Sequence, residues 1–286
     1  MSAEEKRSQV FAPGMLSGRV ILVTGGGTGL GRETALELAR CGASVTIAGR
    51  RADVLEEAAD AIAAQTGAEV DALTGDVREA DGALALIGAV LERRGGLDVL
   101  VNNAGGQFFS PAELIAAKGW RAVWRLNVEG MLNMAEAAFE LCFRQARAGN
   151  VINVTLSPHN GMPGMAHSGA ARASVEALTR ELAARWAADG VTVTAVAAGQ
   201  FDTEVMVKYP LSVRAGMARG VPLQRLGTVA EHAWLVALLA SPLGAAFSGS
   251  AVTLDGARDN WYGPWPPPSL LDDAGEVPVE ERGPAR

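Results

Sequence analysis

The stretch Thr24-Gly25-Gly26-Gly27-Thr28-Gly29-Leu30-Gly31 lies between an apolar run, Val20 to Val23, and an amphipathic one, Arg32 to Ala39. A strand that breaks into a glycine-rich turn and then opens a helix leaves backbone N–H groups unpaired and aimed at one point, with the positive end of the helix dipole behind them. That point suits a pyrophosphate. A turn of this kind can also join strand to helix with no ligand; its place after a strand, before a helix and near the N-terminus favours the nucleotide.

Alternation of strand and helix extends outward from this turn. The apolar patterns predict strands at Arg19 to Val23, Ala43 to Ala48, Glu69 to Leu73, Leu97 to Val101, Val151 to Thr155, Val191 to Ala197 and Ala251 to Leu254. Between them fall helices to about Arg40, with Gly42 as its cap, and over Glu56 to Gln65, Glu79 to Arg94, Lys118 to Ala148, Ser168 to Ala188 and Val229 to Leu239, with a looser region at Gly199 to Pro222. The strands are short apolar runs without clean alternation, as parallel strands buried on both faces are. The fold class is therefore α/β: one doubly wound, Rossmann-like parallel sheet with helices on both faces. Residues 1–18 read as an arm lying on the fold, 19–257 as one domain, and 258–286 as a Trp/Pro-rich tail with Trp261, Tyr262 and Trp265, docked on a neighbouring subunit or over the active site.

The second strand ends in Gly49-Arg50-Arg51. In a dinucleotide fold this end faces the adenosine ribose, where an acid accepts from a 2′-hydroxyl and an arginine neutralises a 2′-phosphate. With Arg50 and Arg51 there and no acid before Asp53, NADP is favoured over NAD; two solvated arginines at a helix start are the plainer alternative.

Composition narrows the rest. The 286 residues are 49% hydrophobic and 20% charged, enough for one sizeable core, and the net charge of −7 without a long basic run argues against nucleic acid as a partner. No run of eighteen apolar residues occurs and the N-terminus is charged, so neither a membrane span nor a signal peptide is expected, and the chain reads as soluble and cytoplasmic. Gly283-Pro284-Ala285-Arg286 is not a peroxisomal address of the Ser-Lys-Leu type. Cys41 and Cys142 have no metal-ligand neighbour at useful spacing; they read as buried thiols, and no metal site is expected.

Five motifs in order, Thr24 to Gly31, Asp76-Val77, Asn102-Asn103-Ala104-Gly105, Asn127, and Gly199 to Thr203, resemble those of the short-chain dehydrogenases/reductases, and the resemblance runs from about Leu16 to Gly256. It implies that Thr24, Gly25, Thr28, Gly29, Leu30 and Gly31 cradle the pyrophosphate. It also implies that Asp76 accepts from the adenine amino group beside the Val77 backbone, and that Asn103, Ala104 and Gly105 let the cofactor lie against backbone. Asp76 also suits a helix N-cap before Glu79. Asn127 resembles the family asparagine that holds a water and bends a helix, and Gly199 and Thr203 resemble the nicotinamide end, although the usual proline before Gly199 is Ala198. The family also implies a homo-oligomer, a tetramer.

The departure lies in the family's Tyr-x-x-x-Lys, where this chain reads Ser168-Gly169-Ala170-Ala171-Arg172. Alcohol dehydrogenation needs a phenol whose pKa a nearby cation lowers. A serine only donates a hydrogen bond, and Arg172, always protonated, can hold the nicotinamide ribose and supply charge without shuttling a proton. The family serine falls among Thr155, Leu156 and Ser157, with Leu156 at the aligned position. His159 and His167, between the fifth strand and the next helix, are candidate acids, His159 foremost.

Within the family the chain is most similar to peroxisomal trans-2-enoyl-CoA reductases and to bacterial citronellol-type dehydrogenases, through Val101 to Glu113, Lys118 to Trp120 and His167 to Ala173. Dienoyl-CoA reductases also resemble it in the serine but keep the lysine. The implied activity is NADPH-dependent reduction of the C2=C3 bond of a small-molecule acyl thioester, with catalytic residues Ser168, Arg172, Ser157, Asn127 and His159. The alternatives are a carbonyl or alcohol dehydrogenase with an atypical proton donor, and a member that keeps the fold without hydride transfer.

Overall fold

A computed structural model describes residues 7–157, 159, 161, 164–204, 206 and 216–260. Seven parallel strands form one sheet in the order β3-β2-β1-β4-β5-β6-β9. They are β1 (Val20–Thr24), β2 (Ser44–Gly49), β3 (Val70–Thr74), β4 (Val99–Asn102), β5 (Gly149–Leu156), β6 (Val191–Ala198) and β9 (Ala251–Leu254). A short parallel pair stands apart from it, β7 (Phe201–Asp202) inside the region read as loose and β8 (Gly227–Thr228) just beyond it.

Val and Ile dominate the strands because helices cover both faces. On one face, α1 (Gly29–Arg40), α2 (Ala52–Thr66) and α8 (Val229–Ala240) bring Leu38, Ile62 and Leu239 onto Ile21, Val45 and Ile152. On the other, α3 (Ala80–Arg94), α4 (Ala117–Trp124), α5 (Gly130–Ala138), α6 (Arg144–Ala146) and α7 (Ala166–Trp186) bring Ile87, Met134, Phe143 and Val175 onto Leu22, Leu100 and Val151. Burying a side chain of this size contributes roughly 1.5–3 kcal/mol each. Local signals set the ends. Gly67 and Gly95 close α2 and α3 in left-handed conformations. Thr228 and Glu231 form a reciprocal capping box on α8, and Arg225 grips the Glu231 carboxylate and holds its pKa down to about 2.

The expected single helix over Lys118 to Ala148 is interrupted by two π turns, Arg125–Glu129 and Phe139–Phe143. Asn127 accounts for the first: its side-chain Nδ2 donates to the Val123 carbonyl, four residues back, at 2.8 Å and competes with the regular backbone ladder. The expected helix over Glu56 to Gln65 begins four residues earlier, at Ala52, which puts Arg51 at its N-cap. Asp76 does not cap α3; Glu79 holds the N-cap position, and the Asp76 carboxylate instead accepts the Arg78 backbone N–H at 3.1 Å in a tight turn.

Leu16 is fully buried and its N–H donates to the Cys41 carbonyl at 2.9 Å, while Ser8 donates to Glu37 at 2.5 Å. Cys41 is buried and its thiol is pushed up to about 12 by burial, then by Glu37; Cys142 is only partly buried. Arg258–Asn260 forms a 3-10 turn, and the Trp/Pro-rich stretch from Trp261 onward lies outside the described residues, as do Tyr209 and Tyr262. Among the described residues no helix is long and apolar enough to cross a membrane.

Candidate active site

Strand order reverses between β1 and β4, and open α/β sheets bind ligands at the carboxyl ends of the strands beside such a reversal. Thr24, at the end of β1, ties the two strands there: its hydroxyl oxygen accepts the backbone N–H groups of Asn103 at 3.1 Å and Ala104 at 3.0 Å. Asn103 answers by donating from its side chain to the Thr24 carbonyl at 3.0 Å. Thr24 is thus a fixing residue behind the site and not part of its wall.

In front lies an open cavity of about 560 Å³. Its wall includes Gly25, Thr28, Leu30, Gly31, Arg50, Arg51, Asp76, Val77, Asn103, Ala104 and Gly105 of the residues expected from sequence. Gly29, Gly199 and Thr203 do not line it; Gly29 turns the chain at φ +54 as α1 begins. The structure adds Val54 and Leu55 from the first turn of α2, and Leu126, beside Asn127 in the π turn. These are ordinary apolar residues, and only the packing of their elements brings them to the wall.

The cavity fits a dinucleotide on three counts. A Cβ on Gly31 would strike the Gly25 carbonyl oxygen, so this glycine is what lets the turn fold back over the helix start. Arg50 and Arg51 have no ion-pair partner among the described residues, and they stand beside the N-terminus of α2, a pair of free cations where a phosphate would lie. Asp76 is held ionised: Arg78 grips it by three side-chain bonds of 2.5 to 3.0 Å and brings its pKa down to about 2, with a smaller contribution from Arg50.

At the other end of the cavity, Arg172 reaches from α7 behind Gly105, where a Cβ on that glycine would meet its Nη2. Its Nη1 donates to the Val154 carbonyl at 2.7 Å, its Nε has no partner, and no carboxylate among the described residues pairs with it. Burial alone pulls its pKa down to about 10, so it is a cation at neutral pH. Asn127 clasps the strand end opposite: Nδ2 donates to the Gly106 carbonyl at 2.8 Å and Oδ1 accepts the Gly106 N–H at 3.2 Å.

Ser168, fully buried in the first turn of α7, donates to Gln107 Oε1 at 2.8 Å. Gln107 was not singled out in the sequence, because one glutamine in a loop carries no motif. Ser157 gives its proton to the Asp255 carboxylate, and Thr155 donates to the Arg172 backbone at 3.2 Å, so neither hydroxyl proton is free. His167 is buried against the rings of Phe108 and Trp120, neither of its nitrogens completes a hydrogen bond, and burial lowers its pKa, only partly offset by the Met165 backbone. His159 has both ring nitrogens taken by carboxylates, Asp259 on Nδ1 and Glu176 on Nε2.

Known proteins share this arrangement of elements. A family model described as short chain dehydrogenase matches residues 19–212. A peroxisomal 2,4-dienoyl-CoA reductase, (3E)-enoyl-CoA-producing, from Danio rerio is 32% identical over 255 residues, covering 88% of this chain and 85% of that protein. A protein of the same description from Arabidopsis thaliana is 33% identical over 257 residues, covering 86% of each. Among solved structures, a citronellol catabolism dehydrogenase of Pseudomonas aeruginosa PAO1 superposes with a TM-score of 0.79 at 39% identity, covering 87% of this chain and 98% of that one. With a family model over two thirds of its length and relatives above 30% identity along most of it, the chain belongs to the short-chain dehydrogenase family of oxidoreductases.

Proposed function

We propose that the chain uses NADPH to reduce a carbon–carbon double bond conjugated to the carbonyl of an acyl thioester. The observation that carries this reading is the half-buried Arg172, paired with no carboxylate among the described residues, beside the Ser168–Gln107 pair. Hydride arriving at a ketone carbon leaves an alkoxide, whose basicity demands a proton donor at oxygen. Hydride arriving at C3 of an enoyl thioester leaves an enolate, with charge spread from oxygen to C2 and far less basic at oxygen. The Gln107 amide N–H, held in place by the Ser168 hydroxyl that donates to its Oε1, suits that oxygen as an oxyanion site does, with the Arg172 charge behind it. The reduced nicotinamide supplies the hydride; Asn127, by clasping Gly106, holds the backbone against which it lies. The C2 proton then comes from water, since His159 offers no open nitrogen and His167 is neutral and enclosed.

NADP is the cofactor in this reading because Arg50 and Arg51 stand unpaired at the ribose end. The relatives named for dienoyl-CoA reduction support a thioester substrate, whereas the one named for citronellol catabolism favours a second reading, redox chemistry at an alcohol or carbonyl carbon. The working form is read as a cytoplasmic homotetramer, which light scattering measures directly. The purified protein is expected to oxidise NADPH with crotonyl-CoA; oxidation only with a ketone favours the second reading, and oxidation with neither favours a family member without hydride transfer.

A further inference from the structure

The turn after β9 is held against the end of β5 and against α7 by two carboxylates that converge on one imidazole. His159 Nδ1 meets Asp259 Oδ2, His159 Nε2 meets Glu176 Oε1 at 2.7 Å, and the His159 backbone N–H donates to Asp259 Oδ1 at 2.6 Å. An ionised carboxylate only accepts, so a ring placed between two of them carries a hydrogen on both nitrogens and is an imidazolium. Glu176 is 5% exposed and cannot turn to water instead.

The chain of bonds continues from Asp259 toward the site. Its backbone N–H donates to Asp255 Oδ2 at 2.8 Å, and that same oxygen accepts the Ser157 hydroxyl. Asp255 also presses on the end of β6, where a Cβ on Gly199 would lie 2.5 Å from the Asp255 Cβ. The ends of β5, β6 and β9 therefore meet around one carboxylate whose placement depends on the turn that His159 fastens.

We propose that His159 is a positioning residue: a standing imidazolium that fastens the turn after β9 to α7 and thereby fixes Asp255 and the direction of the Ser157 hydroxyl. Among the described residues the charged groups around it are Asp259 and Asp255 from that turn, with Arg258 next in sequence, and Glu176 and Arg180 from α7, Arg180 Nη2 lying 3.8 Å from the other Glu176 oxygen. Burial opposes the charge on His159, but the two carboxylates outweigh it and the net shift of its pKa is upward. Loss of the proton sets a lone pair against one carboxylate, so the clamp is closed below the raised midpoint and opens as pH rises through it. The clamp does not rest on the proposed reductase reading, which gives Ser157 no step of its own.

Two measurements on the full-length protein test it. The chain has three histidines, so ring signals in NMR are assigned to His159 by their loss in His159→Gln. The His159 ring is expected to keep both hydrogens well above the ordinary midpoint, about pH 6.5, and Glu176→Gln to lower its midpoint by about one pH unit or more. In unfolding free energy read by urea denaturation, His159→Gln and Asp259→Asn are expected to be non-additive, the double variant being about as unstable as the worse single one. An ordinary His159 midpoint, one that Glu176→Gln leaves unmoved, or losses that add in full would overturn the proposal. If no thioester is turned over, the reductase reading fails while the titration still decides the clamp.

Discussion

Arg172 stands where the family resemblance leads one to expect a lysine, and the two cations differ most at high pH. Burial pulls the Arg172 guanidinium down to about 10, and it keeps its charge throughout the neutral range. A lysine in the same enclosure starts lower and is pulled down further. Arg172→Lys is therefore expected to bring the alkaline fall of kcat to lower pH than in the unaltered protein, read from a pH profile. Ser168→Ala releases the Gln107 amide and is expected to lower kcat by about 10–1000-fold, as loss of one oxyanion donor does. Replacing Arg50 and Arg51 together by Ala is expected to weaken NADPH by about 1–3 kcal/mol and leave NADH nearly untouched, since only the 2′-phosphate loses its charge-assisted bonds; titration calorimetry with both cofactors measures this. These residues were legible because motif spacing names them. Gln107 and the carboxylates around His159 were not, because Asp259 lies 100 residues from His159 in sequence and Gln107 lies 61 from Ser168.

Between elements, the contact of α1 with α8 carries a titratable group that takes no part in the chemistry. His232 is fully buried there, with Nδ1 3.3 Å from the Thr34 hydroxyl and Nε2 unpaired, and burial lowers its pKa to about 4. Folded and unfolded chains both hold a neutral His232 above about pH 6.5, so its neutral form costs nothing there. Between about 6.5 and 4 only the unfolded chain takes up the proton, and stability is lost as pH falls, by about 3 kcal/mol in all. His232→Gln is expected to flatten the acid side of a plot of unfolding free energy against pH, measured by urea denaturation from pH 7 to 4. An unchanged slope would show that other groups drive the acid loss. At this scale the sequence showed the helices but not their irregularities: apolar periodicity marks Lys118 to Ala148 as helical, whereas the π turn at Arg125–Glu129 comes from a side chain, Asn127, competing for a backbone carbonyl.

For the whole molecule, alternating strands and helices were enough to specify a doubly wound sheet, because each parallel strand needs a covering helix before the next can form. The site then follows from where the order reverses, and it gathers β1, β2, β4 and α7 at one edge although they are spread over most of the chain. What the topology leaves open is which carbon receives the hydride, and a single labelling experiment reports on that carbon. The protein is incubated with crotonyl-CoA and NADPH deuterated on the transferred face, and the product is located by NMR. Deuterium at C3 of the saturated thioester is the expected result; deuterium on a carbinol carbon of an alcohol product, or no transfer to any enoyl thioester, would contradict it.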